Sequence, residues 1–240
     1  MKVENIRIVM VGTTHPGNIG AAARAMHNMT FSRLVLVDPQ CPVGEIAYAR
    51  ASGANSLLDD RETYPDLESA IAGCHCTIAA SARRRSLDWP ELDPGQMSAK
   101  LLDLGDDGEA AIVFGREHSG LTNEELQLCN FMVTIPTNPA FSSLNVAAAI
   151  QVLCYEVYRQ TAEPRENPRI EPQDMPASSG EMEGYFEHLQ QVLESSGFLD
   201  PQQPGLIMQR LRRLYLRSEM TRNEINILRG VLSAVQSRRD

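Results

Sequence analysis

An α/β domain with a mostly parallel sheet, followed by a small helical domain, is the fold class that this 240-residue chain predicts. Three observations carry that expectation. Short, nearly continuous apolar runs alternate with helical patterns over the first 160 residues, as buried parallel strands with crossover helices require. Several of those runs end in glycine- or serine-rich loops that open a helix, the joint at which open α/β sheets hold ligands. Beyond them, Pro164, Pro168, Pro172 and Pro176 forbid a continuing helix, and three amphipathic patterns follow.

In chain order, strands are predicted at Ile6–Gly12, Leu34–Asp38, Thr77–Ser81, Ala111–Gly115 and Met132–Pro136. Helical patterns fall between and after them, at Ile19–Met29, Leu67–Ala72, Asn123–Cys129 and Asn145–Tyr158. The last of these is apolar on nearly every face, which predicts burial all round, inside the domain or against a second subunit. These elements make a domain over residues 1–160. Residues 161–180 have little to bury and read as an exposed, semi-extended linker. Residues 181–240 then hold helical patterns at Glu181–Ser195, Pro204–Arg217 and Arg222–Gln236. In the second, Ile207, Leu211 and Leu214 form one face while Arg210, Arg213 and Arg217 form another.

Composition bounds the function. No run of about 18 apolar residues is present, so no transmembrane helix is expected. The start, MKVENIRIVMVG, reads as a first strand rather than a signal peptide, and a cytoplasmic protein follows as the expectation. The five cysteines suit a reducing compartment. Cys74-His75-Cys76 has no partner pair at metal-site spacing, so buried thiols are expected there and no metal. A net charge of −9 argues against a uniformly basic nucleic-acid binder, but the charge is uneven. Tyr155–Gln202 carries ten carboxylates against three arginines, whereas Gly205–Asp240 carries eight arginines against three carboxylates.

The residues suited to chemistry sit in the loops after the strands. Thr13–Gly20 follows the first strand, and Gly17 and Gly20 permit close backbone approach at a helix N-terminus. Asp38 ends the next strand, but a dinucleotide fingerprint would need glycine where His15 stands, so a nicotinamide enzyme is disfavoured. Arg24 lies on the helix after this loop, with His27 and Asn28 nearby. Its guanidinium does not readily lose a proton, which excludes a simple general-base role but suits holding a phosphate or orienting a hydroxyl. Ser81-Ala82-Arg83-Arg84-Arg85-Ser86 places small residues at a strand end beside three cations, and Trp89 follows in a position to pin the loop. Gly115-Arg116-Glu117 opens the next loop; Gly115 leaves room at the strand end, Glu117 can pair with Arg116 or another arginine, and Thr122 suits an N-cap. In Ser142-Ser143-Leu144-Asn145, either serine suits the cap of the following helix.

The segments NIRIVMVGTTHPGNIGAAARAM, SARRRSLDWPELDP, FGREHSGL, IPTNPAFSSLNVAAA and LRRLYLRSEMTRNEINILRG, taken together, resemble the knotted SPOUT methyltransferases, and among them the bacterial tRNA 2′-O-methyltransferases. They span almost the whole chain apart from the proline stretch. The resemblance implies a SPOUT trefoil knot late in the first domain, a homodimer, and S-adenosylmethionine held at Ala80, Ser81, Ala82, Gly115, Ile135, Ser142, Ser143 and Leu144. Arg24 matches the arginine placed beside the target ribose, and Asn18, Glu117 and Asn145 match further active-site positions. The implied reaction is metal-free methylation of the 2′-hydroxyl of cytidine or uridine at position 32 of the tRNA anticodon loop. Arg83, Arg84, Arg85, Arg210, Arg213 and Arg217 would then bind the RNA backbone. A SPOUT enzyme acting on ribosomal RNA and an RNA-binding module without catalysis are the alternatives that the same residues allow.

Overall fold

The computed structural model describes residues 1–82, 89–161, 175–202 and 206–237. In chain order these residues form β1 (Ile6–Val11), α1 (Pro16–Asn28), β2 (Arg33–Val37), α2 (Glu45–Ala51), α3 (Asn55–Asp59), β3 (Glu62–Tyr64), α4 (Leu67–Ile71), β4 (Cys76–Ala80), β5 (Glu91–Leu92), α5 (Pro94–Leu102), β6 (Ala110–Phe114), α6 (Asn123–Gln127), β7 (Phe131–Val133) and α7 (Val146–Thr161). Three helices follow: α8 (Ser179–Ser195), α9 (Ile207–Leu216) and α10 (Arg222–Gln236).

The strands assemble into one sheet in the order β3-β2-β1-β6-β4-β7-β5, and each pairing within it is parallel. Alternation along the strands divides the core. Ile8, Met10, Leu36, Ile78 and Ile112 point to the face covered by α1, α2, α3, α5 and α7. Val9, Val35, Val37, Ala79 and Val113 point to the opposite face, where α4 and α6 pack. Both faces are covered, which is why the strands read as unbroken apolar runs. Gly20 has a packing role here: a Cβ there would stand 2.0 Å from the carbonyl oxygen of Ala47, so its absence lets α1 and α2 touch. The close approach expected at this glycine is therefore made by a helix backbone. Gly17 serves the cap of α1, its N–H donating to His15 Nδ1 over 3.1 Å.

Within the single chain, the last helix of the first domain is buried on one face only. Ile150, Leu153, Cys154 and Val157 of α7 are buried, but Val152, Tyr155 and Tyr158 are 39–50 % exposed. One face of α7 is thus an open apolar stripe within the single chain. The cap of α7 also differs from the two serines expected: Asn145 Oδ1 accepts the Ala147 N–H over 2.9 Å. Thr122 caps α6 as expected, in a reciprocal box with Glu125.

The C-terminal helices enclose a core of Met182, Tyr185, Phe186, Leu189, Leu216 and Ile225. On α9 the packed residues are Leu211, Tyr215 and Leu216, while Leu214 is 46 % exposed and Ile207 also faces outward. The predicted apolar face is rotated because Arg212 belongs to the packed side: its guanidinium makes a bidentate pair with Glu183 and lies over the Phe186 ring at 4.6 Å. The start of α8 is held to the α/β domain by backbone bonds, Ser179 N–H to the Cys74 carbonyl at 2.8 Å and Gly180 N–H to the Ala72 carbonyl at 2.9 Å. Lys100 adds an ion pair with Glu219 at 2.6 Å. Four cysteines, Cys74, Cys76, Cys129 and Cys154, are buried free thiols.

Candidate active site

Strands β4, β6 and β7 lie side by side, so the loops that leave their carboxyl ends converge on one place. There they form a cleft of about 300 Å³. That is the small end of the range for sites that bind nucleotide-sized ligands. Its position beyond the carboxyl ends of parallel strands is where open α/β sheets hold ligands. Ala80, Ser81 and Ala82 line it from β4; Gly115 from β6; Ile135, Ser142, Ser143 and Leu144 from the loop after β7. All eight residues expected to surround the methyl donor therefore line one cleft.

Local chemistry explains each wall. Ser81 N–H donates to the Val133 carbonyl over 3.1 Å, extending the β4–β7 pairing to the rim. Arg116 and Gly120 exchange backbone bonds at 3.2 and 2.9 Å, closing a tight turn whose Gly120 adopts φ +71°. A Cβ on Gly115 would stand 2.2 Å from the Gly120 carbonyl carbon, so the room expected there for a ligand is taken largely by the turn itself. Beyond β7, Asn138 Oδ1 accepts the Ala140 N–H at 3.0 Å and Thr137 Oγ1 donates to the Ser142 carbonyl at 3.2 Å, which shapes the loop that presents Ser142 and Ser143.

A polar relay joins three loops at the edge of the cleft. Asn145 Nδ2 donates to Asn18 Oδ1 at 3.0 Å, and Asn18 Nδ2 donates to Glu117 Oε1 at 3.0 Å. The Thr14 hydroxyl and N–H donate to Glu117 Oε2 at 3.1 and 3.3 Å. Partial burial pushes the Glu117 carboxyl up, but these donors outweigh it and leave the group below the usual carboxylate range. Glu117 is accordingly an anion at neutral pH. Arg116 is not its partner; that guanidinium forms a fork with Glu125 at 3.0 Å on each arm. Asn18, Glu117 and Asn145, each expected as a further active-site position, are brought into one network.

Arg24 is placed differently. It lies on α1, exposed, outside the lining of the cleft and without an ion pair to any described residue. Arg210, Arg213 and Arg217 lie on and just after α9, and Arg83, Arg84 and Arg85 fall outside the described residues. Sequence reasoning missed Thr14, although its place directly after β1 was the available signal; it also assigned no role to His118 and Ser119, which line the cleft. Among the described residues no group of three or more His, Cys, Asp or Glu is arranged to hold a metal ion. No helix among them is long and apolar enough to cross a membrane.

This sheet with its cleft is the architecture of the SpoU methylases: residues 5–155 match the SpoU rRNA Methylase family, and residues 180–240 match the C-terminal domain of the tRNA methyltransferase TrmJ. The chain is 48 % identical to the tRNA (cytidine/uridine/adenosine-2′-O-)-methyltransferase TrmJ of Pseudomonas aeruginosa (strain UCBPP-PA14), over 98 % of this chain and 95 % of that one. It is 41 % identical to the tRNA (cytidine/uridine-2′-O-)-methyltransferase TrmJ of Klebsiella pneumoniae, over 98 % and 97 %. The crystal structure of TrmJ from Z. mobilis ZM4 superposes with a TM-score of 0.82 at 32 % identity, covering 96 % of this chain and 98 % of that one. The chain belongs to the TrmJ family of tRNA 2′-O-methyltransferases.

Proposed function

We propose that this chain methylates the ribose 2′-hydroxyl of cytidine or uridine at position 32 of the tRNA anticodon loop, with S-adenosylmethionine as donor. The observation that carries this reading is the cleft at the ends of β4, β6 and β7 with the Asn145–Asn18–Glu117 relay at its edge, in a chain of TrmJ kinship over nearly its full length. The lining fits the donor: small residues at 80–82 admit a ligand closely, Ile135 and Leu144 offer apolar contact, and the ionised Glu117 suits a cationic ligand. When bound, the donor supplies an activated methyl group carried on a sulfonium, an electrophile that calls for no metal.

The protein's own part is alignment and electrostatics. Ala80, Ser81, Ala82, Gly115, Ile135, Ser142, Ser143 and Leu144 hold the donor. Asn18, Glu117 and Asn145 fix the three loops relative to one another. Arg24 orients the 2′-hydroxyl and stabilises the charge that develops on its oxygen. Because Arg24 stands outside the cleft of its own chain, a second copy is needed to present it; the exposed stripe Val152, Tyr155 and Tyr158 supports such a homodimer. The trefoil knot belongs to the same reading, supported by the path of the chain from β7 through the cleft-lining loop into α7. So do a catalytic domain over 1–160, a tRNA-binding domain over 181–240, the RNA contacts of Arg83, Arg84, Arg85, Arg210, Arg213 and Arg217, and a cytoplasmic location; of the linker expected over 161–180, residues 162–174 lie outside the described residues, while Ala177 is buried and Ser179 and Gly180 already belong to α8.

Incubating the protein with labelled S-adenosylmethionine and unmodified tRNA, then mapping the label, tests the reaction. Methyl on a 2′-oxygen at position 32 is expected. Adenosine-bearing tRNA belongs in the same assay, because the Pseudomonas relative carries that base in its name. Transfer to ribosomal RNA in preference to tRNA, or no transfer to any 2′-oxygen, overturns the proposal.

A further inference from the structure

We propose that Trp89, Arg210 and Arg213 form a stacking platform for one unpaired nucleotide of the RNA, where the α/β domain meets the C-terminal helices; this rests on the reading of the chain as an RNA methyltransferase.

Trp89 is half-buried, and its Nε1 donates to the Cys129 carbonyl over 3.2 Å, so one edge of the indole is anchored to the α/β domain. Beside the ring stand Gln127 of α6 and Leu206, Gln209, Arg210 and Arg213 of the α9 segment. The indole therefore sits where the two halves of the chain meet. The enclosed space there is only about 10 Å³. That is too little to surround a small-molecule ligand, and the half-buried indole is the aromatic surface beside the two arginines.

The arginines of α9 are divided between two tasks. Arg212 is consumed by Glu183 and the Phe186 ring, a structural arrangement. Arg210 and Arg213 point to the other side and make no ion pair with any described residue. Two guanidinium groups without a carboxylate partner among the described residues, flanking an anchored indole, match what a single-stranded nucleic acid offers, a base face together with phosphate. An acidic peptide would use the two cations but leave the indole without a partner. Position along the chain supports the same occupant: Ala82, at the cleft, and Trp89 are the two ends of one short segment whose sequence between them includes Arg83, Arg84 and Arg85.

Trp89 is the chain's only tryptophan, so its fluorescence reports on this surface alone. Titrating the full-length protein with tRNA should change the emission, saturating at the concentration at which filter binding saturates. Trp89→Phe, which keeps a stacking face, should hold tRNA affinity within about twofold. Trp89→Leu, which fills space without stacking, should weaken it at least about fivefold. The double variant Arg210→Ala/Arg213→Ala should weaken binding and lower the slope of log K against log salt by roughly two. S-adenosylmethionine binding by calorimetry should be unchanged in all three variants, which shows that each is folded. Bound tRNA with unchanged tryptophan emission, or Trp89→Leu and the arginine variant binding as wild type, overturns the platform while leaving the methyltransferase reading intact. Failure of the wild type to bind tRNA in the filter assay overturns that reading, and the platform with it.

Discussion

Asn18 and Glu117 are 99 residues apart in the chain and 3.0 Å apart in space, and their hydrogen bond ties the start of α1 to the loop after β6. Asn18 is used twice, since its carbonyl oxygen also accepts from Asn145 at the head of α7. A side chain with both a donor and an acceptor is needed at that position, and asparagine supplies both.

Replacing Asn18 by alanine removes both bonds at once. A hydrogen bond to a charged partner contributes roughly 1.5–3 kcal/mol, so kcat for methyl transfer should fall on the order of tenfold to a hundredfold. The KM for tRNA should move little, because the relay positions the loops and not the RNA. Steady-state kinetics with wild-type kcat in Asn18→Ala would show that the relay is dispensable.

Glu117 also makes a pH signature. Its folded-state carboxyl lies below the ordinary range, so the stabilisation it provides is complete above the unfolded value of about 4.3 and is lost as pH falls through the folded value. Thermal midpoints of the wild type and Glu117→Gln, measured from pH 7 down to pH 3, should differ most at neutral pH and converge toward the acid end. A constant difference across that window would mean the carboxylate is not held by these donors.

Arg24→Ala should lower methyl transfer at least about a hundredfold, the scale on which a donor to developing charge acts. Binding of S-adenosylmethionine by calorimetry should stay within about twofold. If a second copy presents Arg24, mixing this variant with Asn145→Ala should restore about a quarter of wild-type activity, since half of a random mixture is mixed dimer and each mixed dimer holds one intact site. No recovery on mixing would place Arg24 and the relay in the same chain's site.

Gly115→Ala forces a Cβ to within 2.2 Å of the Gly120 backbone, where no flexible side chain can yield. Destabilisation of about 1–3 kcal/mol in urea unfolding is expected, as overpacking of a closed turn produces. The affinity for S-adenosylmethionine should fall with it, because the same turn lines the cleft.

The thiols give a simpler check on the packing. Burial pushes Cys74 up to about 11, with Cys76 at about 12, and raises Cys129 and Cys154 further. Only the partly exposed Cys41 should react with an aromatic disulfide reagent in the native protein, and the other four only after unfolding. Burial and the nearby Glu117 charge also raise Cys41, so its labelling rate should go on climbing with pH beyond the range in which an ordinary thiol has finished titrating. Rapid reaction of two or more thiols in the native state would contradict the core described for α4, β4 and α7.

Much of the fold was legible because buried parallel strands leave an unmistakable trace. The predicted strands at Ile6–Gly12, Leu34–Asp38 and Ala111–Gly115 differ from the observed ones by one residue at each affected end. The edge strands β3 and β5 were not legible, since Glu62–Tyr64 and Glu91–Leu92 bury little and carry no apolar run. Helix α5 had a readable signal, Asp93 with Gln96 three residues on, and the structure shows that pair as a reciprocal cap.

From its letters alone this chain determined a mostly parallel α/β domain, a helical C-terminal part, and the loops that carry the site, because periodicity, glycine and proline act over a few neighbouring residues. Partnership over long separations was decided only by the tertiary structure. The letters allowed Glu117 to pair with Arg116; the fold gave Arg116 to Glu125 and Glu117 to Asn18 and Thr14. They set Arg210, Arg213 and Arg217 on one face by helical spacing and gave Arg212 no partner; the structure turned Arg212 toward Glu183 and set Arg210 and Arg213 beside Trp89. A charge in a sequence has several compatible partners. Which one it takes depends on which loops the sheet order brings within 3 Å, and no local pattern encodes that distance.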